Sequence, residues 1–306
     1  MPQSVKPVFA ALCILAATAL FFFIGLKIEL TVFKTDFANF TLLLQDAENP
    51  LFVNALRGFL VLQTIALFAI PPFMLAYVYG KNPFTIFAIT SKPAWNYLLI
   101  AIALIVCGIP MINFLVDYNG TLLDHILGAT NSLKDQDLVT QKLVESLLHD
   151  TSIGSLVINS IIIAFIPAAC EELFFRGLIQ KTILSKYMNM HLAIFCSGFL
   201  FSFLHFQFYG FIPRFVLGVL FGYIFEWSGS LWVTITIHFI NNFLAVLGSF
   251  LISKNIVSDS IDTIGTGSTW WIGLVSMIIA GLLVFVLYKQ QNAKNSFYSQ
   301  QMSTFD

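Results

Sequence analysis

Residues 153–177 read "IGSLVINSIIIAFIPAACEELFFRG". From Ile153 to Ala169 there are seventeen residues without a charge, and then Glu171, Glu172 and Arg176 fall within six positions. An apolar run of roughly 17–25 residues is long enough to cross a bilayer as a helix. Ionisable side chains at membrane depth are costly unless they face water or one another. The stretch therefore predicts a membrane helix that ends in a wet or paired polar site.

The rest of the chain has the same character. Of its 306 residues, 58% are hydrophobic and 10% charged, with mean hydropathy +0.85. A soluble domain carries about 25% charged residues, so this chain cannot clothe a soluble surface of its own size. Eight apolar segments of spanning length are predicted, at roughly 8–26, 58–79, 95–116, 153–173, 190–209, 211–227, 230–252 and 269–288. The expected fold class is all-α, a polytopic transmembrane helical bundle of about eight membrane helices, with membrane lipid as its main partner. The first segment has Lys6 before it and Ala17-Thr18-Ala19 within it, which resembles a signal peptide. However, "LFFFIGL" (20–26) carries the apolar run on, which predicts a retained helix.

The net charge of −1 excludes a nucleic-acid footprint. Cys13, Cys107, Cys170 and Cys196 all lie in apolar runs without a CxxC pair and read as small buried hydrophobes. The 33 phenylalanines fit lipid-facing and interhelical packing. With both termini inside, eight basic residues lie in inner segments and seven in outer ones. The tail "YKQQNAKN" (288–295) leans the same way, so an N-in, C-in orientation is expected.

Residues 27–57 and 117–152 are expected as outer loops. In the second, Leu138, Leu143 and Leu147 recur at helical spacing and predict a short amphipathic helix at the membrane surface. The expected organisation is a scaffold of N-terminal membrane helices and outer loops over 1–150, a catalytic membrane core over 151–255, and a last helix with a polar tail over 256–306.

Three clusters within the core carry chemistry, each with i,i+4 spacing that puts its members on one helix face. Glu172 and Arg176 can pair within one helix, while Glu171, about 100° further round, is left free of that pairing. Pro167, one turn earlier, lacks an N–H and predicts a kink with the Ile163 carbonyl released. "FSFLH" sets Phe201 against His205, and "HFINN" sets His238 against Asn242 in mid-membrane. Each has an ordinary structural explanation: a charged helix end, an interfacial histidine, and polar groups joining two helices. Together they supply a base for water and donors for an oxyanion, and they are as close to a zinc site with an open position for water.

In that order the motifs "EELFFR" (171–176), "FSFLH" (201–205) and "HFINN" (238–242) match E-E-x-x-x-R, F-x-x-x-H and H-x-x-x-N. They resemble the CPBP family of intramembrane proteases, which includes the type II CAAX prenyl endopeptidases and the bacterial Abi proteins. The likeness covers about residues 150–250. It implies that Glu171 activates the hydrolytic water with help from His205, and that His238 and Asn242 bind the oxyanion. It also implies that Glu172 and Arg176 fix the geometry, and that the substrate is a membrane-associated or lipidated peptide or protein. If a divalent metal such as zinc serves, the implied ligands are Glu171, His205 and His238, although H-E-x-x-H is absent. The setting expected is a multi-pass protein of a bacterial inner membrane. A proton- or ion-coupled transporter would also place Glu, His and Asn in the membrane, but the two halves share no repeat. A non-catalytic Abi-type immunity protein is the other alternative.

Overall fold

The computed structural model describes residues 6–44, 49, 51–92, 95–128 and 131–290; the C-terminal tail 291–306, with Lys294, lies outside the described residues. These fold into helices, with no strand among the described residues. In chain order they are α1 (Lys6–Val32), α2 (Phe37–Leu43), α3 (Phe52–Val78), α4 (Pro83–Ile86), α5 (Trp95–Cys107) and α6 (Ile109–Leu127). Then come α7 (Ser132–Leu148), α8 (Ile153–Lys186), α9 (Met190–Phe203), α10 (Phe211–Ser228), α11 (Leu231–Ser253) and α12 (Trp270–Lys289).

In hydrocarbon a backbone must satisfy its own polar groups, and helices do so within one segment. Six of the helices are long and apolar enough to cross a membrane. The pair α5 and α6 has the same length and apolar character when taken together, as a broken span or a re-entrant loop, and is bent by 49° at Gly108, where Pro110 interrupts the hydrogen-bond ladder. The eighth segment is α9, apolar but only 14 residues long. The chain is thus an all-α polytopic bundle.

Three expectations need correction. Residues 117–127 are not loop: α6 runs on to Leu127, and Gly128 at φ 86° ends it. Nor is 27–57 all loop: α1 runs on to Val32 and α3 starts at Phe52. At Pro167, where a kink is expected, α8 continues as one 34-residue helix. The turn before the proline is instead π-wound over Ser160–Phe165, where the Ile166 N–H reaches the Ile161 carbonyl five residues back. The wider turn makes room for a ring that cannot donate. α3 repeats the device, with a π turn over Ile65–Ala69 ahead of Pro71 and Pro72. A second π-wound stretch, Leu173–Ile183, begins directly after Glu172. Such stretches recur at functional positions in helices.

The helix read within 117–152 is α7, capped by Asn131, whose side chain accepts the Lys134 N–H. Both of its ends are tied down. Asp137 Oδ2 accepts the Tyr209 N–H at 2.7 Å, and the Tyr209 hydroxyl donates to Asp124 at 2.6 Å. Lys134 closes on Asp124 at 2.8 Å, and that hydrogen bond raises the lysine's pKa. At the other end Asn159 of α8 donates to the Leu147 carbonyl at 2.7 Å. Arg57 of α3 braces this junction by donating to Asn159 Oδ1 and Ser155 Oγ. So α7 lies across the bundle beside α8 and the 204–210 turn.

Helices α9 and α10 approach closely through glycines. A Cβ on Gly198 would stand 2.9 Å from the main-chain nitrogen of Val219, and one on Gly218 would stand 3.0 Å from the Gly198 Cα. Small residues at such crossings let membrane helices make close van der Waals contact. Gly198→Ala should push α10 away from α9 and destabilise the protein by about 1–3 kcal/mol. Thermal unfolding in detergent reads this as a lowered midpoint; an unchanged midpoint would show that the crossing has slack.

Candidate active site

Glu172 is fully buried (0% exposed), and so is Arg176. Arg176 Nη1 lies 3.0 Å from Glu172 Oε1, and Nη2 donates to the Gly218 carbonyl at 3.0 Å. The same carboxylate oxygen accepts from His238 Nδ1 at 2.8 Å. One acid on α8 therefore joins a guanidinium on its own helix to an imidazole on α11. Two carboxyl side chains in sequence point in different directions round a helix. Glu171 consequently faces elsewhere, with its Oε2 3.8 Å from His238 Nε2.

Phenylalanines box in these polar groups. The Arg176 guanidinium lies 5.1 Å from the Phe201 ring centre and 5.5 Å from that of Phe221. Cations are attracted to ring faces at such distances. The same two rings pack on the His238 imidazole, at 5.7 and 5.2 Å between centres. Phe201 has a further role: its carbonyl lies 2.6 Å from His205 Nδ1. The ring thus steadies α8 and α11 while the carbonyl orients the histidine four residues on.

These contacts fix which nitrogen does what. A carbonyl can only accept, so the His205 proton sits on Nδ1 and Nε2 is left with a lone pair. The Glu172 carboxylate likewise takes the Nδ1 proton of His238, leaving its Nε2 toward Glu171. Asn242 accepts from Asn241 Nδ2 through its Oδ1 at 3.3 Å, so its own amide N–H groups are free to donate.

A cavity of about 350 Å³ collects the outward-facing members. Glu171, His205, His238 and Asn242 all line it, with Asn241 and Arg214 beside them. Its apolar walls come from Ile163, Pro167, Leu217 and Phe221, and from Val144 and Leu148 of α7. Glu172 and Arg176 stand behind this wall rather than in it. Side chains from α8, α10, α11 and the turn after α9 meet there, and α7 closes one side.

Sequence reading missed Arg214, Asn241 and the α7 wall. Arg214 had a usable signal, a lone cation in "FIPRFVLG" (211–218), because an intramembrane charge points to a cavity. Asn241 looked redundant beside Asn242. Nothing local marks Val144 or Leu148. Among the described residues no group of three His, Cys, Asp or Glu side chains is arranged to hold a metal ion. Glu171, His205 and His238 share the cavity but do not form such a ligand set.

Residues 153–244 match the model of a family described as Rce1-like, type II CAAX prenyl endopeptidase. All three motifs lie inside that stretch, and the resemblance read from them is to the same family. At family level the likeness is to membrane-embedded proteases of the CAAX type. The chain is also similar to the uncharacterized protein YpbD of Bacillus subtilis (strain 168), 31% identical over 100 residues. That match covers 31% of this chain and 46% of YpbD, so the chain spans less than half of that relative's length. No solved structure matches.

Removing one partner of a buried ion pair leaves the other charge stranded, at a cost of about 3–5 kcal/mol. Arg176→Met should therefore unfold the protein at a much lower temperature, and Glu172→Gln combined with Arg176→Met should recover part of the loss. Thermal scans of the three proteins decide; equal stability of the single and double variants would mean the pair is not a closed unit.

Proposed function

We propose that this protein is an intramembrane endopeptidase that hydrolyses a peptide bond of a membrane-associated or lipidated peptide, with Glu171 as the base that activates water. The observation that supports it best is the division of labour between the two adjacent acids. Glu172 is committed to Arg176 and His238, whereas Glu171 has no hydrogen-bonded partner among the described residues and lines the cavity.

A water held between Glu171 and the lone pair of His205 Nε2 gives a proton to Glu171 as its oxygen bonds to the scissile carbonyl carbon. The carbonyl electron pair moves onto oxygen, and that oxyanion meets two donors from α11. Asn242 offers its free amide N–H. His238, whose Nδ1 proton is held by Glu172, offers an Nε2–H when the ring carries both protons. Donors fixed in place before the charge develops are worth most in a cavity shielded from bulk water. When the tetrahedral intermediate collapses, the C–N bond breaks and the proton on Glu171 passes to the leaving amine. The products are a carboxylic acid and an amine, and the second water proton, left on the acid, then passes to the amine to give a carboxylate and an ammonium.

Arg176 and the Phe201–Phe221 box take no part in bond making. They hold His238 and Glu172 so that Nε2 stays aimed at the cavity. The apolar walls suit a substrate that comes from the bilayer, and an integral membrane protease has such substrates at hand. A bacterial inner membrane is the setting proposed.

Glu171→Gln keeps the shape and removes the base. Cleavage of labelled, membrane-anchored peptides by the purified variant should fall about 10²–10⁴-fold, while its unfolding temperature stays that of the parent. Cleavage at the parent rate would remove Glu171 from the mechanism.

A further inference from the structure

Arg214 is not used by this chemistry. It sits in the first turn of α10 and lines the same cavity as Glu171. Its guanidinium is folded onto the preceding turn: Nη1 donates to the Gln207 carbonyl at 2.6 Å, and Nη2 donates to the Gln207 side-chain oxygen. Gly210 permits that approach, since a Cβ there would lie 2.7 Å from Nη2. Both acceptors are neutral. Asp137 and Glu171 act on the charge from a distance, but no carboxylate comes within ion-pair range of it among the described residues. Asp137 Oδ2 accepts the Tyr209 N–H, and its Oδ1, buried without a hydrogen-bond partner, is not in ion-pair contact with Arg214.

The contrast with Arg176 is informative. That cation is sealed off and matched by Glu172. Arg214 is half-buried, held in one orientation by a glutamine, and still has donors to offer on the cavity side. A guanidinium presents a rigid fork that suits a carboxylate. One with no carboxylate in ion-pair range favours an anion that arrives with the ligand. The cavity is also at the small end of ligand sites, which suits the end of a chain better than a segment threading through.

We propose that Arg214 is the carboxylate receptor of this site, binding an anionic group of the substrate and so setting how far along the peptide Glu171 cuts. The assignment rests on the peptidase reading above. The carboxylate is that of the substrate's own C-terminus or of an acidic side chain close to it.

The test uses fluorophore-labelled peptides with an acyl anchor, made as three matched forms: a free C-terminal acid, a C-terminal carboxamide, and a carboxamide with glutamate near the end. The intact protein should cleave at least one carboxylate form with a KM about tenfold or more below that of the neutral form, the range of a charge-assisted hydrogen bond. Which form is favoured identifies the source of the charge. In Arg214→Gln that ratio should fall to about one through a rise in KM for the acid, and Arg214→Lys should restore part of it. A ratio near one in the parent, or a ratio kept in Arg214→Gln, overturns the proposal. So does a uniform loss of kcat on all three forms, which would make Arg214 only a clamp on the 204–210 turn. If the parent cleaves none of the peptides, the peptidase reading fails by itself. Fluorescence anisotropy of the same peptides on Glu171→Gln, with and without Arg214→Gln, then decides the carboxylate preference separately.

Discussion

The site depends on one buried carboxylate. Glu172, within a helix that the hydrocarbon would otherwise keep apolar, is tolerable only because Arg176 and His238 both close on the same oxygen. Taking charges out of water costs several kcal/mol each, and only good geometry with further hydrogen bonds repays that. Arg176 Nη2 donates one further hydrogen bond to the Gly218 carbonyl, which is within reach because α9 and α10 touch through glycines, while Glu172 Oε2 and Arg176 Nε have none. The crossing of those two helices, the ion pair and the orientation of His238 are thus one constraint seen from three sides.

That constraint separates the two acids. Adjacent side chains leave a helix about 100° apart, so with Glu172 turned inward Glu171 lines the cavity, near the other ring nitrogen of His238. Fixing Phe201 against Arg176 and His238 sets its carbonyl for His205. The F of F-x-x-x-H is therefore aromatic for packing reasons, while its spacing from histidine follows from the reach of an imidazole back to the carbonyl four residues earlier. The spacing H-x-x-x-N puts His238 and Asn242 on one face of α11, toward a common point. Site geometry and fold stability draw on the same contacts, which is why the polar residues stay together in a chain so apolar.

Much of this was legible before any coordinates. Apolar run lengths set the bundle and its crossings, and i,i+4 spacing chose Glu172, not Glu171, as the partner of Arg176. The part that stayed hidden was made by contacts between helices. His238 lies 66 residues from Glu172, and no local pattern says that their side chains meet. The wall from α7 depends on Asn159 and Tyr209 gripping its two ends, again at long range. Pro167 was read by the ordinary rule for proline, yet a π turn absorbed the missing donor and kept α8 unbroken. Arg214 is a different case: it stands alone as a cation within an apolar run, and only the cavity it lines shows what it faces.

Water access to Glu171 is the most direct test of the account. In a background with Cys13, Cys107, Cys170 and Cys196 replaced, Glu171→Cys and Phe165→Cys can each be exposed to a charged, membrane-impermeant thiol reagent in vesicles. Phe165 is a half-exposed apolar position on the same helix, in the run that faces lipid. The account predicts rapid labelling at 171 and little at 165. Labelling at 171 no faster than at 165 would mean that lipid, not solvent, surrounds the proposed base.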